Sequence, residues 1–361
     1  MKTALNIRIA GLFLAVFIYG AGRAMAGSDS WKADIDGNWA DTNNWAAGCA
    51  PGSTGRHNND FAMFGFALKN DRIVTVDTNR FIGNIAFGNP SVHGYTLAQG
   101  TLRLSNTDTW NQPGGIIQTL AGNGAHVDTI NSAVVFYNMQ YGLITADALS
   151  PNSVLRINGG VTSHMYQGVN LTLNGINMGA NTIAGVIIDN DWGYGTLRLI
   201  KSGVGNWRLS GANTYSGGTM VNGGMLTLDA GAGGSLKTGS ALTFSGTGVF
   251  NYDNMTAAGA KSQSLGALTN RVGEGTVQLT RTAAQNVALM FTSFGARSVG
   301  ATRNFVYAGT PGMIGSNSTI TIKNTAAGFI DQNSFVDGGD FAYVNGAGKF
   351  VRVPVYGADE G

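Results

Sequence analysis

The stretch "GVGNWRLSGANTYSGGTMVNGGMLTLD", residues 203–229, decides how the rest of the chain is interpreted. Glycine or a small polar residue recurs every few positions, and short alternations such as Trp207-x-Leu209 and Leu226-x-Leu228 lie between them. Such alternation is typical of a strand with one buried face, and Gly, Asn and Ser turn a chain at low steric cost. The stretch has no carboxylate pair, histidine or cysteine, so it predicts strands and turns without reactive groups.

The same small pattern, Gly-x-apolar-x-apolar, recurs along the chain. It reads "GTLRLS" from Gly100, "GTLRLI" from Gly195, "GNWRLS" from Gly205, "GMLTLD" from Gly224 and "GTVQLT" from Gly275. Looser copies begin at Ser153, Val169, Ser240 and Ser318. Helical spacing of apolar residues is nearly absent, so the pattern predicts an all-β array of repeats.

Very short strands and frequent turns favour a right-handed parallel β-helix, or β-solenoid, over a β-sandwich or jelly roll, whose strands are longer. Each coil of roughly 20 to 30 residues would contribute about three strands. In the opening stretch these strands are expected near residues 206–210, 219–222 and 225–229. On the order of a dozen coils, at about 4.8 Å each, predict a rod of roughly 60 Å.

The alternation also predicts which side chains fill the bore of the coil. Arg208 and Thr227 are expected to point outward, so Arg208→Ala should be nearly neutral, whereas Trp207→Ala should be disruptive. The inward set is Trp207, Leu209, Val221, Leu226 and Leu228.

Composition supports this interpretation. The 361 residues include 55 Gly, only 6 Pro and 12% charged residues. The low Pro content and the lack of a triplet period argue against a collagen-like protein. The apolar content argues against a disordered chain, and the low share of charged residues argues against a helical protein with a charged surface. Cys49 is the single cysteine, so an intramolecular disulfide is excluded.

Residues 1–26 have the features of a cleaved secretory signal peptide. A basic start with Lys2 and Arg8 precedes an apolar run at residues 9–20, and Ala24-Met25-Ala26 is a cleavage site before Gly27. The alternative is an uncleaved membrane anchor, for which the run is short. Removal of residues 1–26, which hold three basic residues and no acid, changes the formal net charge from +2 to −1. No nucleic-acid partner is therefore expected.

Residues 205–228 closely resemble the autotransporter-associated β-strand repeat, also called the passenger-associated transport repeat. The family pattern is G-x-[LW]-x-L-x-G-x-N-T-Y-x-G-G-T-x-[IV]-x-x-G-x-L-x-[LV]. The matching residues are Gly205, Trp207, Leu209, Gly211, Asn213, Thr214, Tyr215, Gly217, Gly218, Thr219, Val221, Gly224, Leu226 and Leu228. The segment "WKADIDGNWADTNNWAAGCAPGSTGRHNNDFAMFG", residues 31–65, resembles the leader of large secreted bacterial proteins that carry such repeats.

The resemblance implies a bacterial β-helical passenger, exported to the outer-membrane surface or the extracellular space, with a structural or adhesive role. The partners expected are extracellular glycans or a host or matrix surface. Because the ending "VRVPVYGADEG" resembles no translocator or sorting tail, a separate or missing C-terminal translocator or anchor is also expected. The domain organisation predicted is a signal peptide at 1–26, a Trp-rich cap at 27–66, and degenerate solenoid repeats at 67–361 with the strong repeat at 203–229.

The strong repeat also predicts roles for its small residues. Gly211, Gly217, Gly218 and Gly224 are expected where the chain turns between coil faces and a side chain would crowd the next coil. Asn213 is expected either to adopt a left-handed conformation or to hydrogen-bond neighbouring amides.

No catalytic, cofactor-binding or metal-binding residue is predicted. Cys49 has only His57 nearby in sequence, and His126 near Asp128 is interpreted as a pair of solvated turn residues rather than a metal site. The run at residues 34–38, "DIDGN", is a chance likeness to a calcium loop because its glycine comes too early. Trp31, Trp39 and Trp45 are expected to seal the first coil, with a platform for sugar rings as the alternative.

The functional alternative to a non-enzymatic passenger is a polysaccharide-active β-helix enzyme, a lyase or glycoside hydrolase. Such an enzyme requires paired carboxylates that project from neighbouring coils. The acids are spread along the chain, and no Asp/Glu pair is expected to recur at coil spacing, so the enzyme is the disfavoured alternative.

Overall fold

Short parallel strands stack on one another from coil to coil along the chain. The computed structural model describes residues 27–55, 58–105, 115–256, 259–310 and 314–359. The predicted signal peptide and His57 lie outside these described residues. Apart from a short 3₁₀ helix at Thr42–Asn44, the regular structure of the described residues is all β.

The strands are numbered in chain order. The N-terminal ones are β1 (Asp29–Ser30), β2 (Gly37–Asn38), β3 (Phe61–Phe64), β4 (Arg72–Thr75), β5 (Arg80–Ile82), β6 (Asn84–Phe87), β7 (Tyr95–Ala98), β8 (Thr101–Leu104), β9 (Ile116–Thr119) and β10 (Val127–Ile130). The central ones are β11 (Ala133–Tyr137), β12 (Tyr141–Ala146), β13 (Val154–Ile157), β14 (Val161–His164), β15 (Val169–Gly175), β16 (Asn181–Ile183), β17 (Leu197–Lys201), β18 (Asn206–Leu209), β19 (Thr219–Asp229) and β20 (Leu242–Asn254). The C-terminal ones are β21 (Lys261–Val272), β22 (Glu274–Arg281), β23 (Val287–Arg297), β24 (Thr302–Gly309), β25 (Ser318–Ile322), β26 (Gly328–Phe329), β27 (Ser334–Val336), β28 (Asp340–Phe341), β29 (Tyr343–Val344) and β30 (Val351–Arg352).

The parallel pairings form three ladders, one along each side of the coil. Ladder one runs through β1, β3, β6, β9, β12, β15, β17 and the first part of β19. It continues through the first part of β20 and the second parts of β21 and β23. Ladder two runs through β2, β4, β7, β10, β13, β16, β18 and the second part of β19, then β20, β22, β24 and β27. Ladder three runs through β5, β8, β11 and β14, and is formed again by β21, β23 and β25. The predicted β-solenoid is therefore confirmed.

The solenoid has about 10 turns, somewhat fewer than the dozen expected. The C-terminal segment uses chain length without adding parallel turns, because β26, β29 and β30 pair antiparallel there and β28 folds back on β27.

The strong repeat extends beyond one coil, which corrects the prediction of three strands within a single coil. Residues 206–209 (β18) and residues 225–228 of β19 are register partners in ladder two, so they lie on successive coils. The two strands predicted at 219–222 and 225–229 are one strand, β19, which has a register irregularity between Val221 and Gly223 where it passes from ladder one to ladder two. The five side chains predicted to fill the bore are all buried, and they belong to one continuous apolar core.

Two glycines of the repeat show why larger residues are excluded. A Cβ atom at Gly217 would lie 2.5 Å from the Leu197 carbonyl oxygen of the previous coil. Gly218 has more space but a φ of +79°, which disfavours any residue with a side chain. The predicted turn role of these glycines is confirmed.

Asn213 is a hydrogen-bonding residue rather than a left-handed one. Its side chain is buried, and its Oδ1 accepts a hydrogen bond from the Ile187 N–H of the previous coil at 2.9 Å. Its Nδ2 donates to the Ser235 carbonyl oxygen of the next coil at 3.1 Å. One side chain therefore joins three successive coils.

The burial of Trp207 predicts a local effect of its removal. Its ring lies in the bore at 2% exposure, and its Nε1 donates to the Asn174 carbonyl oxygen at 2.8 Å. Truncation of a buried aromatic side chain costs about 3 to 5 kcal/mol, and coils contact only their neighbours. We expect Trp207→Ala to create protease cleavage sites between residues 195 and 250 while the N-terminal tryptophan segment stays resistant.

The matched control is Val204→Ala in the same coil, because Val204 is 65% exposed and exposed substitutions change stability by about 0.5 kcal/mol at most. If Trp207→Ala melted the entire chain in one step, coil-by-coil stability would be wrong.

Candidate functional site

The three N-terminal tryptophans are core residues. Trp31, Trp39 and Trp45 are at most 1% exposed and pack edge-on or tilted against one another, with ring centroids 5.2 and 5.3 Å apart. Phe64 extends the cluster toward the first coils. Rings buried in this way have no face available for a sugar, so the platform alternative at these residues is wrong.

The run at residues 34–38 is also structural. Asp34 forms an ion pair with Arg72 at 2.6 Å, and Asp36 accepts a hydrogen bond from the Ile73 N–H at 2.8 Å. Within the ranges that the structure describes, no group of three or more His, Cys, Asp or Glu side chains is placed to hold a metal ion.

Two carboxylates do meet at coil spacing, contrary to the expectation from sequence. Asp229 and Asp253 are register partners in β19 and β20. Arg208 binds both of them, at 2.6 Å and 2.9 Å, and backbone N–H groups of Ala232 and Met255 donate to them as well. Both side chains are buried and share the one Arg208 guanidinium, so the pair lacks the free acid and base that glycoside hydrolysis requires.

Arg208 lies on the outer face of its strand as predicted, but this cluster gives it partners there and covers Thr227. Thr227 is only 6% exposed because Arg208, its register partner, extends across it to reach Asp229. Arg208→Ala would leave two buried carboxylates without their cation, which is costly. The structure therefore predicts a loss of stability for this substitution, in contrast to the nearly neutral effect expected from the sequence.

His126 and Asp128 are buried rather than solvated, which corrects a second expectation. His126 Nε2 lies 3.1 Å from Asp128 Oδ2, and His126 Nδ1 lies 2.8 Å from the Ser91 carbonyl oxygen. Asp128 also accepts hydrogen bonds from the Tyr95 N–H of the previous coil and from Asn123 Nδ2. Both ring nitrogens face acceptors, so the arrangement is satisfied when the imidazole carries both protons.

A second group of aromatic side chains lies on the outer surface, along and beside ladder three. We call it the aromatic strip. Neighbouring rings in it are 3.9 to 6.0 Å apart, and the guanidinium of Arg103 lies over two of them. In order along the rod its members are Phe81, Tyr137, His164, Tyr166, Trp192 and Tyr194.

Strand register creates the first half of the strip. Tyr137 and His164 are partners in β11 and β14, so the coil rise brings their rings together. The rings stack with centroids 4.6 Å apart and an interplanar angle of 11°. His164 Nδ1 also pairs with Asp191 Oδ1 of the next coil at 2.6 Å, which fixes the orientation of the imidazole.

A tight turn presents the second half. Asn190 Oδ1 accepts a hydrogen bond from the Trp192 N–H at 2.6 Å, Asn190 Nδ2 donates to the Met165 carbonyl oxygen, and the Asn190 N–H donates to the Gly195 carbonyl oxygen. These bonds hold the turn against the previous coil, so Trp192 is presented by ordered backbone.

The strip is buried at its N-terminal end and exposed at its C-terminal end. Phe81 and Tyr137 are each 7% exposed, whereas Trp192 is 46%, Tyr166 67% and Tyr194 73% exposed. Three large rings therefore offer faces to solvent on a buried aromatic base. Such faces pack against the apolar C–H face of a sugar ring, and the Tyr hydroxyl and Trp N–H groups provide hydrogen bonds.

The sequence analysis missed the strip. The positions are separated by coil lengths that vary, so no linear motif marks them. The available signal was the pair of short aromatic runs "HMYQ" at 164–167 and "DWGY" at 191–194, which recur one coil apart.

The His126–Asp128 pair predicts a pH-dependent contribution to stability. Burial disfavours the charged ring, but the hydrogen bond and charge of Asp128 outweigh this and raise the pKa of His126 above its ordinary 6.5. The pKa of His126 is higher in the folded state than in the unfolded state. The stabilisation of the fold by the His126–Asp128 pair is therefore complete below about pH 6.5 and is lost as pH rises through the folded-state pKa. We expect the protection factor of the Tyr95 amide to be higher at pH 6 than at pH 8.

In His126→Gln this pH dependence should disappear, whereas His93→Gln, with a half-exposed ring, should behave like the wild type. Hydrogen exchange normalised for intrinsic rates measures this. If His126→Gln kept the pH dependence of the wild type, the assignment of a charged imidazole to His126 would be wrong.

Comparisons with known proteins agree with the fold and the repeat. The model of the passenger-associated-transport-repeat family matches residues 199–228, which contain β18 and nearly all of β19. The curated relatives include the adhesin BmaC autotransporter of Brucella suis biovar 1 (strain 1330), with 37% identity over 91 residues. That match covers 24% of this chain but only 3% of the much longer relative.

No solved structure matches the chain. In the described part of the chain, no helix has the length and apolar character needed to cross a membrane. Residues 199–228 thus form a passenger-associated-transport repeat set within a parallel β-solenoid, and part of the chain is similar to an autotransporter adhesin.

Proposed function

We propose that the chain is an exported, non-enzymatic β-solenoid that acts at the cell surface or outside the cell as an adhesive component. Its aromatic strip would bind extracellular glycans. The observation that supports this proposal is the exposure of Trp192, Tyr166 and Tyr194 on rigid backbone. The similarity to an adhesin autotransporter and the predicted signal peptide at residues 1–26 support the surface location.

The geometry suits an extended polymer. The strip follows the rod axis over successive coils, and adjacent rungs of a parallel ladder are about 4.8 Å apart. A glycan chain lying along the rod could contact several rings at once. Weak stacking contacts then combine to raise the affinity for the glycan, because after the first sugar has bound the remaining sugars are held at high effective concentration near the other rings.

The enzyme alternative gains no support from the described residues. The carboxylate pair that does form, Asp229 and Asp253, is held by Arg208. His164 could act as an acid or base in principle, but its Nδ1 is bound to Asp191 and its ring is enclosed between Tyr137 and Trp192. We therefore assign these polar groups to structure and to ring orientation.

Removal of the most central exposed ring tests the proposal. Each stacking contact should contribute roughly 0.5 to 1.5 kcal/mol beyond burial, so Trp192→Ala should weaken glycan binding about tenfold or more when several sugars are held. The measurement is binding of the full chain to an array of extracellular polysaccharides.

The matched control is Tyr356→Ala, because Tyr356 is 70% exposed but lies in the C-terminal segment away from the strip. If Trp192→Ala bound every glycan as well as the wild type, or if Tyr356→Ala lost binding equally, the strip would not be the binding surface.

A further inference from the structure

A shallow pocket of about 170 Å³ lies directly beside the aromatic strip. Its lining residues are Gly168, Val169, Asn170, Thr196, Arg198 and Gly217. The lining begins two residues after Tyr166 in one coil and two residues after Tyr194 in the next. The pocket therefore lies close to the most exposed part of the strip. Its volume is below the roughly 300 to 1,000 Å³ of pockets for whole drug-sized ligands, which suits a single unit of a longer chain.

The polar groups of this pocket are set by strand register. Asn170 and Arg198 are partners in β15 and β17, and both lie on the outer side of ladder one. Tyr141, the partner of Asn170 in β12, continues the same row and is 45% exposed. A Tyr–Asn–Arg row thus runs parallel to the strip, with a rise of about 4.8 Å per residue.

Arg198 is the charged residue among those that line the pocket. Its side chain is exposed, and its Nε donates to the Gly217 carbonyl oxygen at 3.3 Å. Among the described residues, no acceptor is recorded for its two Nη groups, which remain directed to solvent or a ligand. A guanidinium presents parallel donors that match the two oxygens of a carboxylate.

The carboxylates near this arginine are already bound elsewhere. Asp189 accepts hydrogen bonds from the Leu197 N–H and from the N–H and Oγ of Ser216, and Asp191 pairs with His164. The charge of Arg198 is therefore not cancelled by a direct ion pair.

We propose that this pocket is a subsite for a carboxylated sugar. Arg198 binds the carboxylate, Asn170 and Thr196 hydrogen-bond ring hydroxyls, and Tyr166, Trp192 and Tyr194 stack on the neighbouring sugars. This inference rests on the glycan-binding function proposed above and names its ligand class as acidic polysaccharides.

The test uses two oligosaccharides with the same sugar backbone, tetragalacturonic acid with free carboxylates and its fully methyl-esterified, uncharged form, titrated into the full chain by calorimetry. An exposed ion pair contributes up to about 1 kcal/mol, so the acid should bind about fivefold more tightly than the ester. Added salt should reduce this difference.

Arg198→Gln should remove the preference, so that this variant binds the acid no more tightly than the ester. The control is Arg156→Gln, because Arg156 is an exposed outward arginine in β13 of ladder two and should keep the wild-type preference. Trp192→Ala should weaken both ligands equally.

The outcomes separate this inference from the proposed function. If the wild type bound acid and ester equally while Trp192→Ala lost both, glycan binding would stand and the acidic subsite would be wrong. The subsite would also be wrong if Arg198→Gln kept the preference for the acid, or if the wild type did not bind the acid at all. Both conclusions hold whatever the polysaccharide array shows.

Discussion

Hydrogen bonds between successive coils hold this molecule together, and the corners are where such bonds are hardest to make. Along the three ladders the backbone pairs with itself, but between strands the chain turns and leaves N–H and C=O groups without a partner in register. Buried amide side chains complete the bonding there. Asn181 accepts from the Leu155 N–H at 3.0 Å, Asn213 from the Ile187 N–H at 2.9 Å, and Gln263 from the Leu236 N–H at 3.0 Å. Since an unsatisfied buried amide costs about 1 to 3 kcal/mol, these side chains are as structural as the apolar bore.

Buried cations serve the same purpose for carbonyl groups. Lys201 Nζ donates to the carbonyl oxygens of Ser202, Gly203 and Gly223, which spans two coils of the strong repeat. Burial lowers the pKa of Lys201 to about 8, yet three acceptors surround the ammonium group and favour its charge. Arg281 binds the carbonyl oxygens of Ala283 and Thr310 in a similar way near the C-terminal coils. A chain with few charges therefore uses several of them inside the turns.

The register that stabilises the rod also generates its surface. Tyr137 and His164 stack because they are rung partners, and Asn170 lies beside Arg198 for the same reason. Rows of like or complementary side chains are thus a direct product of coil stacking. Such rows would suit the proposed adhesive role, because an extended partner could lie along them.

The strong repeat at residues 205–228 shows how much the sequence can predict. The alternation of apolar and polar residues correctly predicted which side chains of the repeat fill the bore, because successive side chains of a strand point to opposite faces. The outer face was less predictable. Arg208 reaches acids that are one and two coils away, and the order in which coils stack is not visible in a linear motif. The pocket beside Arg198, the aromatic strip and the buried His126–Asp128 pair were missed for the same reason.

Hydrogen exchange of Asn213→Ala tests most directly whether side chains of one coil hold its neighbours in register. The matched control is Thr214→Ala, whose side chain is exposed. Loss of the Asn213 acceptor should speed exchange of the Ile187 amide and of the turn at residues 190–195 that presents Trp192, while the β1–β4 amides keep their protection. Unchanged exchange at Ile187, or a uniform loss of protection along the whole chain, would contradict the account.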